Sequence, residues 1–239
     1  MIKENERLDD LEYKGLMIIQ DPDGYCFTSD SVLLANLSEV KRNDTVVDIG
    51  TGSGIVAILI AAKFSPKKVI GVEIQPRLAE MACRSVDFNE LSDLVEIRNI
   101  AAQGCEKIIG NNFDVVVSNP PYDRPVKGAE EGEKEICKTE IKLTVDETVN
   151  AAAKLLKFGG KFFIVVRASR LTDVISAMRL NKIEPKKLYL VQPKASKDVD
   201  TVIIAGKKGG RPALIVPKPI VIYNEDGSMT DQAKKLYNK

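Results

Sequence analysis

The chain contains no histidine and no tryptophan, and aromatic residues make up only 5% of its 239 residues. The absence of histidine excludes Ser-His and Cys-His nucleophilic mechanisms. The four cysteines lie far apart, and none of them forms a C-x-x-C pair. We therefore expect no metal site and no disulfide framework, and we expect the thiols to be reduced residues of the core. The cysteines are Cys26, Cys83, Cys105 and Cys137.

Long apolar runs are also missing. The longest one, residues 55–62, is much shorter than the ~20 residues that a membrane-spanning helix needs. The first residues are charged and contain no apolar signal core, so we expect a cytoplasmic protein with no membrane contact. The length suits a single α/β domain, residues 1–239. Within it we expect an N-terminal segment that covers cofactor and substrate (1–40), a core (41–210) and a C-terminal tail (211–239).

A β-branched run that leads into a glycine-rich turn marks the first candidate site. Residues 45–49 read as a strand, residues 50–54 are Gly-Thr-Gly-Ser-Gly, and an apolar helical stretch follows. Strand, glycine loop and helix in this order are typical of nucleotide binding. Gly50 and Gly52 allow a ligand to approach the backbone closely, and the helix N-terminus favours a carboxylate. Asp48 is placed to contact a cationic ammonium or to order the loop.

An acidic residue ends the next apolar run. Glu73 lies 19 residues beyond Gly54, at the end of the predicted strand 68–73. A carboxylate at this position can accept hydrogen bonds from the two hydroxyls of a ribose. NAD would use the same acid, so the glycine loop and Glu73 predict an adenosine cofactor without distinguishing between the candidates.

The tetrapeptide 119–122, Asn-Pro-Pro-Tyr, follows the apolar run 113–118. The Asn119 side-chain oxygen and the Pro120 carbonyl can each accept one N–H of a planar exocyclic amine. This favours the pyramidal geometry in which the nitrogen lone pair can attack a sulfonium methyl group. Pro120 and Pro121 restrict φ and stiffen the turn, and Tyr122 offers a face on which a base can stack. The alternative is a turn that merely ends the strand.

A hydride-transferring enzyme has no use for the 119–122 motif, so the three signals together favour S-adenosylmethionine as cofactor, with S-adenosylhomocysteine as product. The motifs resemble those of class I amino-methyltransferases. Residues 18–35 and the tail 220–230 are similar to one bacterial branch, the tRNA adenine-N6 methyltransferases that act on adenine 37 of a valine tRNA. The resemblance covers nearly the whole chain. The cofactor contacts that we assign are Thr28, Asp30, Ser31, Asp48, Gly50, Gly52, Gly54, Glu73, Ile74, Ala101 and Asn119.

Ala101 departs from the family pattern. After the strand 95–99, such enzymes usually carry an aspartate that holds the adenine amino group of the cofactor, and Ala101 occupies that position here. The backbone N–H groups of Ala101 and Ala102 can still read the adenine edge. Asn99 and Gln103 are the candidate substitutes, and a register error of one or two residues is the alternative.

The alternation of strand and helix patterns predicts a parallel sheet with crossover helices. Residues 186–191 and 200–206 most simply form an antiparallel hairpin at the sheet edge, and the glycines of 157–161 end a helix. The resemblance implies a Rossmann-like class I methyltransferase fold, with a mostly parallel seven-stranded sheet and helices on both faces. We expect strands at 45–49, 68–73, 95–99, 113–119 and 160–166, and helices at 31–36, 55–64, 75–89, 146–156 and 171–180.

The formal net charge is only +1, but the basic residues are concentrated in one part of the chain. From residue 151 to 219, 15 Lys and Arg residues stand against 4 Asp and Glu residues, a net charge of +11. Such a region can contact RNA phosphates, and the alternative is an ordinary lysine-rich surface. The candidates are Lys182, Lys186, Lys187, Lys194, Lys197, Lys207, Lys208, Arg211 and Lys218, of which we select Lys194, Lys197, Lys207, Lys208 and Arg211 as the RNA-binding set.

The polar segment 123–139 directly follows the catalytic turn. It is either a lid that orders over a flipped base or a solvated surface loop.

We expect N6-methylation of an adenine in tRNA by this chain. The sequence leaves the choice between a monomer and a weak dimer open. The rivals within the class methylate the glutamine amide of release factors, rRNA or a DNA base. Release-factor enzymes carry an N-terminal helical domain, for which residues 1–40 are too few. The rivals from other classes are a dinucleotide-dependent oxidoreductase and a non-catalytic RNA-binding protein.

Overall fold

A computed structural model describes residues 2–22, 28–120 and 143–237. We number the elements in chain order within these ranges, and a short 3₁₀ turn, Ala168–Arg170, precedes α6. The strands are β1 (Arg7–Asp10), β2 (Met17–Gln20), β3 (Thr45–Ile49), β4 (Lys68–Glu73), β5 (Val95–Asn99), β6 (Phe113–Ser118), β7 (Leu156–Arg167), β8 (Ile183–Lys194), β9 (Thr201–Lys208) and β10 (Ile220–Tyr223). The helices are α1 (Ser29–Leu37), α2 (Ile55–Phe64), α3 (Pro76–Phe88), α4 (Glu106–Ile109), α5 (Val145–Leu155), α6 (Leu171–Leu180) and α7 (Asp231–Tyr237).

One large sheet dominates the described part of the chain, with strand order β10-β8-β9-β7-β6-β3-β4-β5. The five strands from β5 to β7 in this order are parallel, and β9 is antiparallel to both of its neighbours. The predicted mostly parallel sheet and its antiparallel hairpin, β8 and β9, are therefore confirmed. An eighth strand, β10, pairs in parallel with β8 at the edge. It comes from the predicted tail, where Pro217 and Pro219 obscure the strand pattern of 220–223.

Helices cover both faces of the sheet and create two cores. One core contains α1, α2 and residues such as Val115 and Val117, and the other contains α5, α6 and residues such as Val116. Strands that are buried on both faces carry continuous apolar runs, which explains the Val-Val-Val stretch of β6. Helix α2 is buried from Ile55 to Ala61, so its apolar residues show no single preferred side.

The hairpin of β1 and β2 packs on α3 and was not predicted. Asn89 accepts a hydrogen bond from the Met17 N–H (2.9 Å) and donates one to the Met17 carbonyl (2.6 Å). Arg84 donates two hydrogen bonds to the Glu6 carboxylate, at 2.7 and 2.6 Å. This guanidinium lowers the pKa of Glu6 to about 2. The hairpin is thus held by side chains of α3 that hydrophobic periodicity does not reveal.

Two local predictions need correction. The helix does stop before residue 157, but β7 begins at once, and residues 157–160 form a bulge between the pairs Phe113–Leu156 and Val115–Lys161. Cys105 is buried as expected, whereas Cys83 is exposed on α3. In the ranges that the structure describes, every helix is too short or too polar to cross a membrane.

Candidate active site

The glycine loop follows β3, Glu73 is the last residue of β4, and Asn119 follows β6. These three strands are adjacent in the sheet. The strand order reverses between β3 and β6, because the chain moves outward to β4 and β5 on one side and to β7 on the other. In open α/β sheets the ligand crevice lies outside the carboxyl ends of strands at such a switch point. The Ser118 hydroxyl donates to the Ile49 carbonyl (2.8 Å) and joins β6 to β3 at this edge. We call this edge of the sheet, at the carboxyl ends of β3, β4 and β6, the catalytic edge.

The glycine loop adopts backbone conformations that favour glycine. Gly50, Gly52 and Gly54 have φ values of 71°, 58° and 94°, which side chains with a Cβ adopt at a cost. The N–H groups of Gly50 and Thr51 both donate to the Val72 carbonyl, at 2.9 and 3.0 Å, and fasten the loop to β4. A Cβ on Gly54 would lie 3.2 Å from the Ala82 Cβ, so this glycine also permits close packing of α3.

Asp48 is buried beneath this loop, with 1% of its surface exposed. Its carboxylate accepts a hydrogen bond from the Thr51 hydroxyl at 2.6 Å. Burial, opposed by the Thr51 hydrogen bond and reinforced by the charge of Glu73, raises the pKa of Asp48 to about 7. Asp48 therefore orders the loop from below, which is one of the two roles expected for it.

Glu73 is also buried, and it fastens the loop from the side. One carboxylate oxygen accepts the Gly52 N–H and the other accepts the Gln75 N–H, each at 2.9 Å. A carboxylate that accepts two backbone N–H groups is fixed in orientation at the end of β4. The sequence predicts a ribose contact for Glu73, and the structure adds this second role, which the sequence pattern does not show.

Asn119 contacts Ser31 of α1. The Asn119 Nδ2 donates to the Ser31 hydroxyl oxygen at 2.8 Å, and Ser31 is 3% exposed. This hydrogen bond sets the orientation of the amide, because Nδ2 points toward α1 and Oδ1 points to the other side. Pro120 is buried beside it. Pro121, Tyr122 and the segment 123–139 lie outside the described residues.

Thr28 and Asp30 stand at the start of α1, close to Ser31. Thr28 is the exposed N-cap residue, and its carbonyl accepts the Ser31 N–H at 3.1 Å. Asp30 lies near Tyr237 of α7, where burial raises the pKa of the tyrosine to about 12 and Asp30 adds to the shift. Asn36 donates to the Leu236 carbonyl at 2.6 Å, so the tail supports the helix that carries Ser31.

The residues expected near a cofactor adenine lie beyond β4 and β5. Ile74 is 40% exposed and presents an apolar surface next to Glu73. Ala101 is half-buried. Asn99 donates to the carbonyls of Glu73 and Ile74, at 2.8 and 3.1 Å, and therefore secures the backbone of this turn. Gln103 hydrogen-bonds the Glu147 carboxylate. Both predicted substitutes for the missing aspartate thus contact the protein itself.

The predicted RNA-binding residues do not lie together. Lys194 ends β8 and Lys197 follows it, at the catalytic edge. Lys207 and Lys208 end β9, which runs in the opposite direction, so they lie at the other edge of the sheet. Arg211 is placed near them by the hydrogen bond from the Lys186 Nζ to its carbonyl (3.1 Å). Lys208 donates to the Ala153 and Leu156 carbonyls, at 2.6 and 2.7 Å, which satisfies the end of α5.

The comparison with known families decides the class of the protein. Residues 28–184 match the family described as "Methyltransferase small domain". The chain belongs to this family. The matched region of this methyltransferase contains the glycine loop, Glu73, Asn119 and Ser31, and the expected methyltransferase class is confirmed.

Relatives of the methyltransferase carry a more specific name. The chain is 32% identical over 131 residues to a protein of Porphyromonas gingivalis (strain ATCC BAA-308 / W83) named "tRNA1(Val) (adenine(37)-N6)-methyltransferase", covering 54% of this chain and 51% of the relative. It is also 32% identical over 155 residues to a protein of the same name from Yersinia pestis (strain Pestoides F), covering 64% and 62%. The matches therefore span about half to three fifths of these relatives.

Solved structures confirm the Rossmann-like methyltransferase fold. A predicted O-methyltransferase from Agrobacterium tumefaciens superposes with a TM-score of 0.72 at 20% identity, covering 87% of this chain and 95% of the other. A geranyl diphosphate C-methyltransferase from Streptomyces coelicolor A3(2), in complex with S-adenosyl-L-homocysteine, has a TM-score of 0.55 at 14% identity, with coverage of 75% and 78%. At these identities the likeness concerns the fold.

Proposed function

We propose that this chain is an S-adenosylmethionine-dependent N-methyltransferase that modifies the exocyclic amino group of an adenine in tRNA. Adenine 37 of a valine tRNA is the first substrate to test. The observation that carries the proposal is the orientation of Asn119 at the switch point of a methyltransferase fold. The names of the relatives support the choice of tRNA, and a tRNA substrate implies work in the cytoplasm.

The described residues fit the proposed cofactor. Among the described residues beyond its chain neighbours, Gly52 has no atom within 4 Å of the position where a Cβ would stand, and Gly50 has only a Leu143 methyl carbon at 4.0 Å. Within these ranges the backbone of the loop is open to a ligand. The Glu73 carboxylate lies at the end of β4, where a ribose would bind, and the exposed face of Ile74 suits the flat adenine. Among the neighbours, the Streptomyces enzyme was crystallised with S-adenosyl-L-homocysteine. When bound, S-adenosylmethionine supplies the electrophilic methyl group.

The Asn119 amide then acts on the substrate amine. Because Nδ2 donates to Ser31, Oδ1 faces the side on which it can accept an amine N–H. The Pro120 carbonyl would accept the second N–H and hold the nitrogen with its lone pair directed at the methyl group. The amine proton becomes acidic after methylation and can leave to water, so the chemistry requires no histidine.

The observations bear differently on each of the rival functions. Family membership argues against an oxidoreductase. Ser31 and Asn119 form a hydrogen-bonded pair within the matched region, which a protein that only binds RNA would not require. A glutamine amide of a release factor presents a planar nitrogen of the same kind, so substrate choice has to be measured directly.

The decisive experiment is methyl transfer from radiolabelled S-adenosylmethionine to bulk tRNA from cells that lack adenine-N6 methylation. Digestion to nucleosides should place the label in N6-methyladenosine. A release-factor peptide and a DNA duplex serve as parallel substrates. Label in the peptide or the duplex, with none in tRNA, would refute the tRNA assignment while preserving the methyltransferase class.

A further inference from the structure

The strongest unassigned feature is a basic surface at the edge of the sheet opposite to the catalytic edge. Lys207 pairs with Lys161 in the β7–β9 register, and Lys161 pairs with Val115 near the start of β6. Lys207 therefore lies at the level where the parallel strands begin, whereas Asn119 follows their ends. We call this side the amino edge.

Hydrogen bonds bring several basic residues together at the amino edge. The Gly209 N–H donates to the Lys182 carbonyl at 2.8 Å, and the Gly210 N–H donates to the Lys207 carbonyl at 3.1 Å. Arg211 follows this turn directly, next to Lys186. Lys182, Lys207 and Arg211 are thus neighbours, although they come from two separate segments of the chain.

These three side chains are exposed and lack an acidic partner among the described residues. Other lysines at this edge, in contrast, form ion pairs with acidic residues. Lys161 and Lys187 share the Glu39 carboxylate, at 2.9 and 2.5 Å, and Lys157 pairs with Asp114. Glu184, the register partner of Lys207, pairs with Arg179. Lys182, Lys207 and Arg211 therefore present exposed positive charge at the amino edge, and we call these three side chains the basic cluster.

An exposed aromatic ring adjoins the basic cluster. Phe158 is 82% exposed, and its ring lies directly against Gly209, since a Cβ at that glycine would overlap the ring. The stem of Lys207 lies near Gly159, next to Phe158. A flat aromatic face beside three cations is the combination that stacks a base and contacts phosphates of an RNA strand.

The catalytic edge offers a less favourable surface for a polyanion. Arg167 pairs with Asp200, and Arg170 donates to Asp173 at 2.8 Å. Lys194 donates to the carbonyl of Glu225 at 3.0 Å. In the described ranges, Arg167 and Arg170 at this edge are thus paired with acids, which favours the amino edge for the attraction of RNA.

We propose that the basic cluster and Phe158 form an RNA docking surface that holds a segment of the substrate distant from the target base. The proposal rests on the proposed function for its substrate. The separation from Asn119 is on the order of 15–20 Å, from four strand residues at ~3.3 Å each along the sheet and two strand spacings of ~4.8 Å across it. A folded RNA spans this distance, whereas a stacked single strand of about three nucleotides around the target adenine, at ~3.4 Å each, does not.

The test compares two RNA substrates, using the wild-type protein and four variants. The substrates are full-length unmodified tRNA and a short single-stranded oligonucleotide that carries the target adenine. The first variant is Lys182→Glu, Lys207→Glu, Arg211→Glu. A control variant, Lys14→Glu, Lys235→Glu, reverses two exposed lysines away from the cluster. Lys208 stays unchanged because it satisfies carbonyls at the end of α5.

Wild-type enzyme should prefer tRNA over the oligonucleotide in kcat/KM, and this preference should fall roughly 10-fold or more in the cluster variant but not in the control. In direct titrations the slope of log affinity against log salt should decrease by about 2–3, one for each lost phosphate contact. Phe158→Ala should reduce tRNA affinity without changing that slope, because a ring carries no charge.

Three outcomes separate the proposals. A cluster variant that is stabilised by S-adenosylhomocysteine like wild type, yet binds tRNA with wild-type affinity and salt slope, would overturn the docking surface. If a Lys194→Glu, Lys197→Glu variant shows the loss instead, RNA docks at the catalytic edge and the proposal is wrong. If wild-type protein binds tRNA through the cluster but methylates neither substrate, the docking surface stands and the proposed function fails.

Discussion

Asn119 and Ser31 are 88 residues apart in the sequence, and a single hydrogen bond of 2.8 Å joins them. The amide acts in the proposed reaction by holding an N–H of the substrate while the nitrogen becomes pyramidal. Asn119→Ala should therefore reduce kcat by about 100-fold or more, since an oriented acceptor that acts in the transition state is removed. Single-turnover methyl transfer is the measurement.

Binding is the control for this variant. Cofactor and tRNA dissociation constants of Asn119→Ala should stay close to those of wild type, because the glycine loop and the basic cluster are unchanged. A folded variant with wild-type single-turnover rates would contradict the role of Asn119. The milder change Ser31→Ala should lower kcat less, since the amide remains but is no longer held.

Glu73 is expected to act on both the cofactor and the loop. Glu73→Ala should weaken cofactor binding by roughly 1.5–3 kcal/mol through the loss of charge-assisted hydrogen bonds. It should also lower the melting temperature, because the N–H groups of Gly52 and Gln75 lose their acceptor. Calorimetric titration and a thermal melt measure the two effects. Unchanged cofactor affinity in a folded variant would refute the ribose assignment.

Asp48 makes stability depend on pH in a direction that can be worked out. Burial raises its pKa from the ordinary 3.8 to about 7. Between these values the folded state binds more protons than the unfolded state, so this group lowers the free energy of unfolding as pH rises from about 4 to 7. Above pH 7 Asp48 is ionised in both states, so the full free-energy cost of burying its charge remains.

The variant Asp48→Asn should therefore reduce that pH dependence and be more stable than wild type at pH 8 by about 1–3 kcal/mol, with little difference near pH 4. Urea unfolding at several pH values measures this. Equal wild-type and variant curves across the range would show that the Asp48 carboxylate is not destabilised in the fold.

At the scale of single elements, α5 begins with a capping box directly before the second core. The Thr144 hydroxyl accepts the Glu147 N–H (3.2 Å), and the Glu147 carboxylate accepts the Thr144 N–H (2.9 Å). Thr144→Ala should lower the free energy of unfolding by about 1 kcal/mol. Thr144→Ser should retain most of the stabilisation by the cap, because serine keeps the hydroxyl. Chemical denaturation of both variants provides the comparison, and equal losses would argue against the cap.

Element boundaries were predicted well where the local signals are strong. Strands β3, β4 and β5 and helices α2 and α6 have the predicted bounds, since apolar runs bounded by glycine or polar residues leave little freedom. The hairpin of β1 and β2 was missed because it is short and is held by Arg84, Ser85 and Asn89 of a distant helix.

For the whole molecule, the proposed cofactor should change stability as a ligand of the folded state. S-adenosylhomocysteine at about 100 times its dissociation constant should add ~2.7 kcal/mol to the free energy of unfolding, and NAD should add nothing. Thermal melts with each ligand make this measurement. Stabilisation by NAD and not by S-adenosylhomocysteine would instead support the oxidoreductase alternative.

The candidate site was largely predictable because its parts are local in sequence. A glycine loop after a strand, an acid after the next strand and Asn-Pro-Pro after a third each depend on backbone conformations and side-chain chemistry within a few residues. Parallel strands bring their carboxyl ends to one edge, so the sequence by itself determined that these motifs meet and which cofactor they suit.

The tertiary structure alone decided which long-range partners complete the site and where the positive charge lies. Ser31 meets Asn119 only because α1 packs against β7, the sheet neighbour of β6. Lys197 and Lys207 are close in sequence, but β9 carries the chain about 25 Å from one edge of the sheet to the other, at ~3.3 Å per residue. A count of charges along the sequence does not include the direction in which each strand runs. That direction places the catalytic edge and the basic cluster at opposite edges of the sheet.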